Sequence, residues 1–317
     1  RGYPLMRWQS VVSATYGLGE SPFWHPHEQT LYWVDIAARQ VLRANIYMGT
    51  VESWDMPSEP GCIAPAVGGG LVIALRHGVF RGRHWGGALE HIVTLDYDPR
   101  TVRANDGKCD ALGRLWVGTY DEAKTHRQAA LYVIDCRDGD TPRVERKADG
   151  ALTGNGLAWS PDQKTLYWAD TSSHVVYAWD HDLASSCLSA KREFLRFDSK
   201  PSGWTFPQTG YGGRPDGAWV DVQGHYHVAM YEGSRVCEFA PDGTLVSATA
   251  TSAQCPTMVC FGGEDGCTQF LTTARKGASP QALEAFPQSG GVFSRRVSVA
   301  GLPSKVLMTS PAGPLRR

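Results

Sequence analysis

One pattern recurs along this chain and constrains its fold more than any other feature. TLYWVDIAARQVLRAN (30–45) reappears as TLYWADTSSHVVYAWD (165–180), each with Leu-Tyr-Trp, then Asp, then a second run ending in a polar turn. GRLWVGTYDEA (113–123) followed by AALYVIDC (129–136) is a variant, and so is GHYHVAMYEGSRVCEFAPDGTLV (224–246). The segments upstream also match: SPFWHPHEQ, CDALGR, AWSPDQK and WVDVQGH. Rich in β-branched and aromatic residues and bounded by Gly, Pro and Asp, these runs read as strands. Six units open near Glu20, Ala64, Asn105, Asn155, Asp216 and Thr257, at spacings of about 40 to 60 residues. Four strands per unit at that period is the signature of a β-propeller. A solenoid is the alternative, but it needs regular caps and has no reason to stop at six.

The expected fold is therefore all-β: a six-bladed β-propeller with four antiparallel strands per blade, forming a single domain over residues 11–310. VVSATYG (11–17) is expected to add an outer strand to the last blade and close the ring. Residues 1–10 read as an N-terminal extension in which Met6 is a natural start and 1–5 precede it; 311–317 read as a tail. The exception to the strand pattern is SPQALEA (279–285), a short helix with Ser279 as N-cap and Pro280 in the first turn.

Bulk properties narrow the function. The formal net charge is −1 and no like-charge run is present, which argues against nucleic acid or an anionic membrane as partner. No apolar stretch reaches the ~18 residues of a membrane span, and RGYPLMRWQS carries no apolar signal-peptide core. The eight cysteines form no C-x-x-C pair. They read as reduced, mostly buried thiols of a cytoplasmic protein rather than as disulfides or a zinc–thiolate site. The expected partner is a small molecule, and the expected state is a monomer or weak homo-oligomer.

The phase of the polar residues is more telling. Glu20 in GLGESPFW stands at the entry to the innermost strand of its unit, and the equivalent position holds Asn105 in RANDGK, Asn155 in TGNGLAW and Asp216 in RPDGAW. In a propeller every innermost strand starts at the same end of the central channel, so these four side chains converge near the axis. Carboxylate and amide oxygens without Cys or His suit a hard or borderline divalent cation. Taken singly, N-G and D-G pairs are ordinary turn signals, as at Asp162 and Asp242; the shared phase is what separates the two readings. The histidines, among them His25, His27, His77, His174 and His225, fall in turns or outer strands. The segment 196–217, with Trp204, Phe206 and Tyr211, reads as a long loop, either a lid walling a ligand site or a tolerated insertion.

The pieces GLGESPFW, RANDGKCDALGRLWVGT, TGNGLAWSPDQKTLYWADT, RPDGAWVDVQGHYHVA, PTMVCFGG and LTTARKG resemble, in order and over nearly the whole chain, the senescence-marker-protein, regucalcin and gluconolactonase family. The ending LTTARKGASPQALEAFPQSGGVF is most similar to bacterial sugar-acid lactonases of the xylonolactonase and arabinonolactonase type. The resemblance implies one divalent cation at one end of the channel, held by Glu20, Asn155 and Asp216, with Asp216 also the catalytic acid/base. It implies that Arg103 and Asn105 face substrate and water, and that a further substrate contact follows the G-T of GTYDEAK, where Asp121 and Glu122 stand slightly out of step. Fe²⁺, Mn²⁺ and Zn²⁺ are expected ahead of Mg²⁺ or Ca²⁺.

The expected activity is hydrolysis of a sugar lactone such as xylono-, arabinono-, galactono- or gluconolactone to the aldonic acid, a carboxylic ester hydrolysis. No G-x-S-x-G elbow is present, so no serine nucleophile is required. The alternatives are a calcium-binding regulatory protein of the regucalcin type, an aryl-ester or phosphotriester hydrolase, and a protein-interaction scaffold.

Overall fold

Each repeat unit folds into one four-stranded antiparallel sheet, and the six sheets stand around a common axis. The structure is a computed structural model and describes residues 7–139 and 141–310. The innermost strands are Gly19–Trp24, Cys62–Pro65, Val102–Cys109, Gly154–Trp159, Arg214–Val220 and Cys255–Gly262, each opening its blade in chain order. In the first five blades the strands follow one another from axis to rim in sequence order. The sixth is closed by the N-terminus, which pairs Gln9 with Ser294 and Ser10 with Phe293. This closing strand is Gln9–Ser10, not the expected 11–17: Val11 N still donates to Val292 O at 3.0 Å, and the chain then bends away toward the first blade. Residues 1–6 and the tail 311–317 lie outside the described residues. The short helix is Pro280–Ala285, with the Ser279 hydroxyl accepting from Ala282 N as an N-cap.

The repeat's aromatic signature makes the core. Trp33, Trp116 and Trp168, the tryptophans of the second strands, are fully buried. Trp24 stacks on Phe270 with ring centres 5.6 Å apart, joining the last blade to the first. A Cβ at Gly154 would stand 2.5 Å from the Trp168 ring, so glycine is required there for strand and tryptophan to meet.

The turn after the innermost strand also repeats. Asp110 Oδ1 accepts from Leu112 N and Arg114 N, and its Oδ2 accepts from Arg114 Nε and Trp116 Nε1, both at 2.8 Å. In the fifth blade Asp221 does the same, with Gln223 N and His225 N on one oxygen and His227 Nε2 at 2.8 Å on the other. A single buried carboxylate thus satisfies several donors that the turn would otherwise orphan.

The chain ends in a strap across the far face. Leu302 N donates to Val220 O, Leu307 N to Pro65 O, Met308 N to Gly113 O and Ser310 N to Cys136 O. Residues 302–305 line the far end of the channel, over an apolar recess lined by Phe23, Ile63, Trp159, Trp219 and Met258.

Candidate active site

The same irregularity recurs where the innermost strands begin. The register shifts between Glu20 and Phe23, between Ala104 and Gly107, between Asn155 and Ala158, and between Pro215 and Ala218. A bulge re-aims the side chain beside it. In four blades it turns Glu20, Asn105, Asn155 and Asp216 to one end of the channel, where all four line a single cleft with Arg103. The N-G and D-G pairs at these positions are therefore bulge residues: Gly156 has φ +58°, and a Cβ on Gly217 would sit 2.3 Å from the Met258 Cβ. Asp162 and Asp242 lie in turns, as expected from sequence.

All four side chains are buried. The carboxyls of Glu20 and Asp216 face each other within hydrogen-bonding reach. Asp216 Oδ1 finds no donor among the described residues. Burial, above all, raises the proton affinity of both, and the buried Asp106 carboxylate adds to it; Asp216 is pushed up to about 8. Asn155 is oriented by a relay: the Thr171 hydroxyl donates to Pro215 O at 2.7 Å and so accepts from Asn155 Nδ2, also at 2.7 Å. That leaves Asn155 Oδ1 beside Asn105 Nδ2, at 3.1 Å. Arg103 donates to Asn105 Oδ1 at 3.0 Å and to its own strand's Ala104 O, and lies over the Tyr120 ring at 4.9 Å. Below the cleft, Lys108 Nζ spans the channel by donating to Leu157 O and Ala218 O of neighbouring blades, its proton affinity lowered to about 8 chiefly by burial.

Two opposed carboxyls and an amide oxygen, with one buried oxygen lacking any donor, fit a divalent cation. The donor set is all oxygen, and among the described residues no histidine lines this cleft. One His/Asp/Glu trio elsewhere, Asp221, His227 and Glu238, brings ligand atoms within 4.8 Å of one another. It is the fifth-blade turn already described, where Asp110 and Trp116 are the third-blade counterparts.

Without a cation, Glu20 and Asp216 must share protons. Their burial costs the fold nothing below about pH 4, where both states are protonated, and the cost grows as pH rises toward the folded value of about 8. Chelated protein is expected to melt lower at pH 8.5 than at pH 6, and Asp216→Asn is expected to flatten that dependence. An equal or higher melting midpoint at pH 8.5 contradicts the coupling.

Two sequence expectations are not brought to the cleft. Asp121 turns away to accept from Thr125 N and His126 N, holding the turn that follows its strand. Glu122 pairs with Arg76 at 2.7 Å on the outer surface. Tyr120 and Lys124, one residue before and three after Asp121, line the cleft instead. The loop aromatics are also spent elsewhere. Trp204 packs against Tyr211, Phe206 meets Phe286, and the Tyr211 hydroxyl bonds His174 Nε2 at 2.6 Å; none of the three lines the cleft. Thr171, Arg214 and Tyr231 line it without having been singled out. Of these, Arg214 opens RPDGAW and Thr171 closes TGNGLAWSPDQKTLYWADT, while Tyr231 follows Y-H-V-A-M.

Comparison with known proteins bears on the whole ring. Residues 18–275 match the model of the SMP-30/gluconolactonase/LRE-like region. The chain is 36% identical over 293 residues to a 6-deoxy-6-sulfogluconolactonase of Pseudomonas putida, covering 92% of this chain and 95% of that one. It is 32% identical over 306 residues to the regucalcin of Gallus gallus, with 93% and 96% covered. Among solved structures, a calcium-binding regucalcin of Agrobacterium tumefaciens superposes with a TM-score of 0.85 at 22% identity, covering 95% and 97%. A gluconolactonase of Xanthomonas campestris superposes at 0.70 with 21% identity, covering 92% and 90%. At these identities the structural likeness concerns the fold. Among the described residues no helix is long and apolar enough to cross a membrane.

Proposed function

The chain belongs to the SMP-30/gluconolactonase/LRE-like family, and from that premise we propose that it hydrolyses a sugar lactone to the open-chain aldonic acid at the cleft of Glu20, Asn155 and Asp216. The observation that carries this reading is the facing pair of buried carboxyls, one of them with an oxygen that finds no donor among the described residues, on a bulge repeated in four blades. Glu20, Asn155 and Asp216 would hold a divalent cation, which supplies Lewis acidity toward the lactone carbonyl and toward water. Asp216 takes the proton from attacking water and returns it to the ring oxygen as it leaves. Arg103 donates to the negative charge that gathers on the former carbonyl oxygen. Asn105, pinned between Arg103 and Asn155, orients the lactone or the water.

The test is lactone turnover by chelated protein reloaded in turn with Fe²⁺, Mn²⁺, Zn²⁺, Mg²⁺ and Ca²⁺, with an aryl ester as comparison. Cation-dependent hydrolysis of an aldonolactone above the aryl ester supports the reading. Cation binding without turnover of either assigns the regulatory alternative instead. Glu20→Gln is expected to raise the half-saturating cation concentration at least about tenfold, with rate recovered in excess cation.

A further inference from the structure

We propose that the lactone received by this cleft carries an anionic group, a sulfonate or phosphate, at the end remote from its carbonyl, and that Lys124 and Arg214 at the rim receive it. The inference rests on the lactonase reading for the identity of the ligand, but on charge for its substance. Arg103, Lys124 and Arg214 all line the cleft. The carboxyls of Glu20 and Asp216 are matched by the divalent cation that they would hold, so they do not offset these three charges. The nearby carboxylate at the rim, Glu232, is already divided: Oε1 takes Arg214 at 2.6 Å and Oε2 takes Lys200 at 2.7 Å. Lys124 has no carboxylate partner among the described residues. Its proton affinity is lowered by burial and then by Arg214, and Glu232 offsets this only in part.

A neutral lactone explains one of these cations. Arg103 is deep, buried and bonded to Asn105, where negative charge develops. Lys124 is left over, and Arg214 has only a carboxylate that it shares with Lys200. Nor is Lys124 placed by chance: it sits at φ +55° in the turn that Asp121 ties down, its backbone N–H bonded to Asp121 O at 2.9 Å. Lys124 Nζ and the Arg103 guanidinium lie 5.8 and 4.9 Å from the centre of the same Tyr120 ring. The deep and rim cations thus share one aromatic wall of the cleft. Like charges converging on a partly desolvated pocket are costly unless an anion bridges them, and charge-assisted hydrogen bonds to sulfonate or phosphate supply that.

Titration calorimetry of cation-loaded protein with gluconate, 6-phosphogluconate and 6-deoxy-6-sulfogluconate tests binding apart from turnover. Both 6-substituted acids are expected to bind about tenfold or more tightly than gluconate, and the two are separated from each other by which shows the larger preference. Lys124→Met is expected to cut that preference ratio about tenfold, and Lys124→Arg to restore it. The kcat/KM ratio of 6-phosphogluconolactone to gluconolactone should fall in parallel, with added salt eroding it in the unsubstituted protein. Equal affinity for the three acids, or a ratio untouched by Lys124→Met, overturns the proposal. Absence of turnover on every lactone, with the binding preference intact, instead overturns the lactonase reading and leaves the anion site standing.

Discussion

Asp216→Asn lowers lactone turnover by about 10²-fold or more at saturating cation, while the far-ultraviolet circular dichroism stays that of the parent. The amide is nearly isosteric with the carboxylate and keeps an oxygen for a cation, so the substitution removes one property: the ability to accept a proton. That property is what the surroundings of Asp216 tune. In the cation-free cleft, burial, and then the Asp106 carboxylate, raise its proton affinity to about 8, against a hydrogen bond with Glu20 that lowers it. The introduced amide would also donate to Glu20, replacing an acceptor–acceptor clash with a hydrogen bond. Lost turnover together with a raised melting midpoint of the chelated variant is therefore the combined signature. Turnover within a few-fold of the parent removes Asp216 from the proton-transfer role.

Asp110→Ala costs the fold about 3–5 kcal/mol, the size expected when one partner of a buried ion pair is removed. Asp110 is fully buried and Arg114 is 3% exposed. The carboxylate is shared among the Arg114 guanidinium, the Trp116 indole and two turn amides. Its loss leaves a buried charge and several orphaned donors at once; Arg114 keeps only the Leu183 carbonyl. Urea unfolding monitored by tryptophan fluorescence reads the loss directly, and a change under about 1 kcal/mol, the worth of a surface pair, contradicts the buried-hub description. The equivalent Asp221→Ala orphans no guanidinium, so its cost should be smaller.

Why so much of this fold could be read from sequence is clear from the repeat. The Leu-Tyr-Trp runs place tryptophans such as Trp33 and Trp168 at equivalent buried positions, and a polar residue in a fixed phase, such as Glu20 or Asn155, must share an end of the channel with its counterparts. What escaped was not periodic. Asp121 and Lys124 are three residues apart in a turn whose direction depends on which carboxylate caps it, and nothing in the local composition says that Asp121 is consumed by Thr125 N and His126 N. Thr171 reaches the site only through Pro215 O of the next blade, a contact between residues 44 apart. Trp204 and Tyr211 have the composition of a ligand wall, yet pack on each other because the loop folds on itself. In the closing strand, the alternation of VVSATYG fits pairing as well as Gln9–Ser10 does, and only the position of Val292 selects between them.

The strap over the far face has a kinetic consequence. With residues 302–305 lining the far end of the channel and Lys108 bonded across the bore, the natural way in and out of the cleft is its own open end. Whatever acid is made must leave by the route its precursor used, so accumulated product and incoming ester exclude one another. Inhibition by the released acid is accordingly expected to be competitive, and a sluggish exit would throttle turnover before the chemistry does.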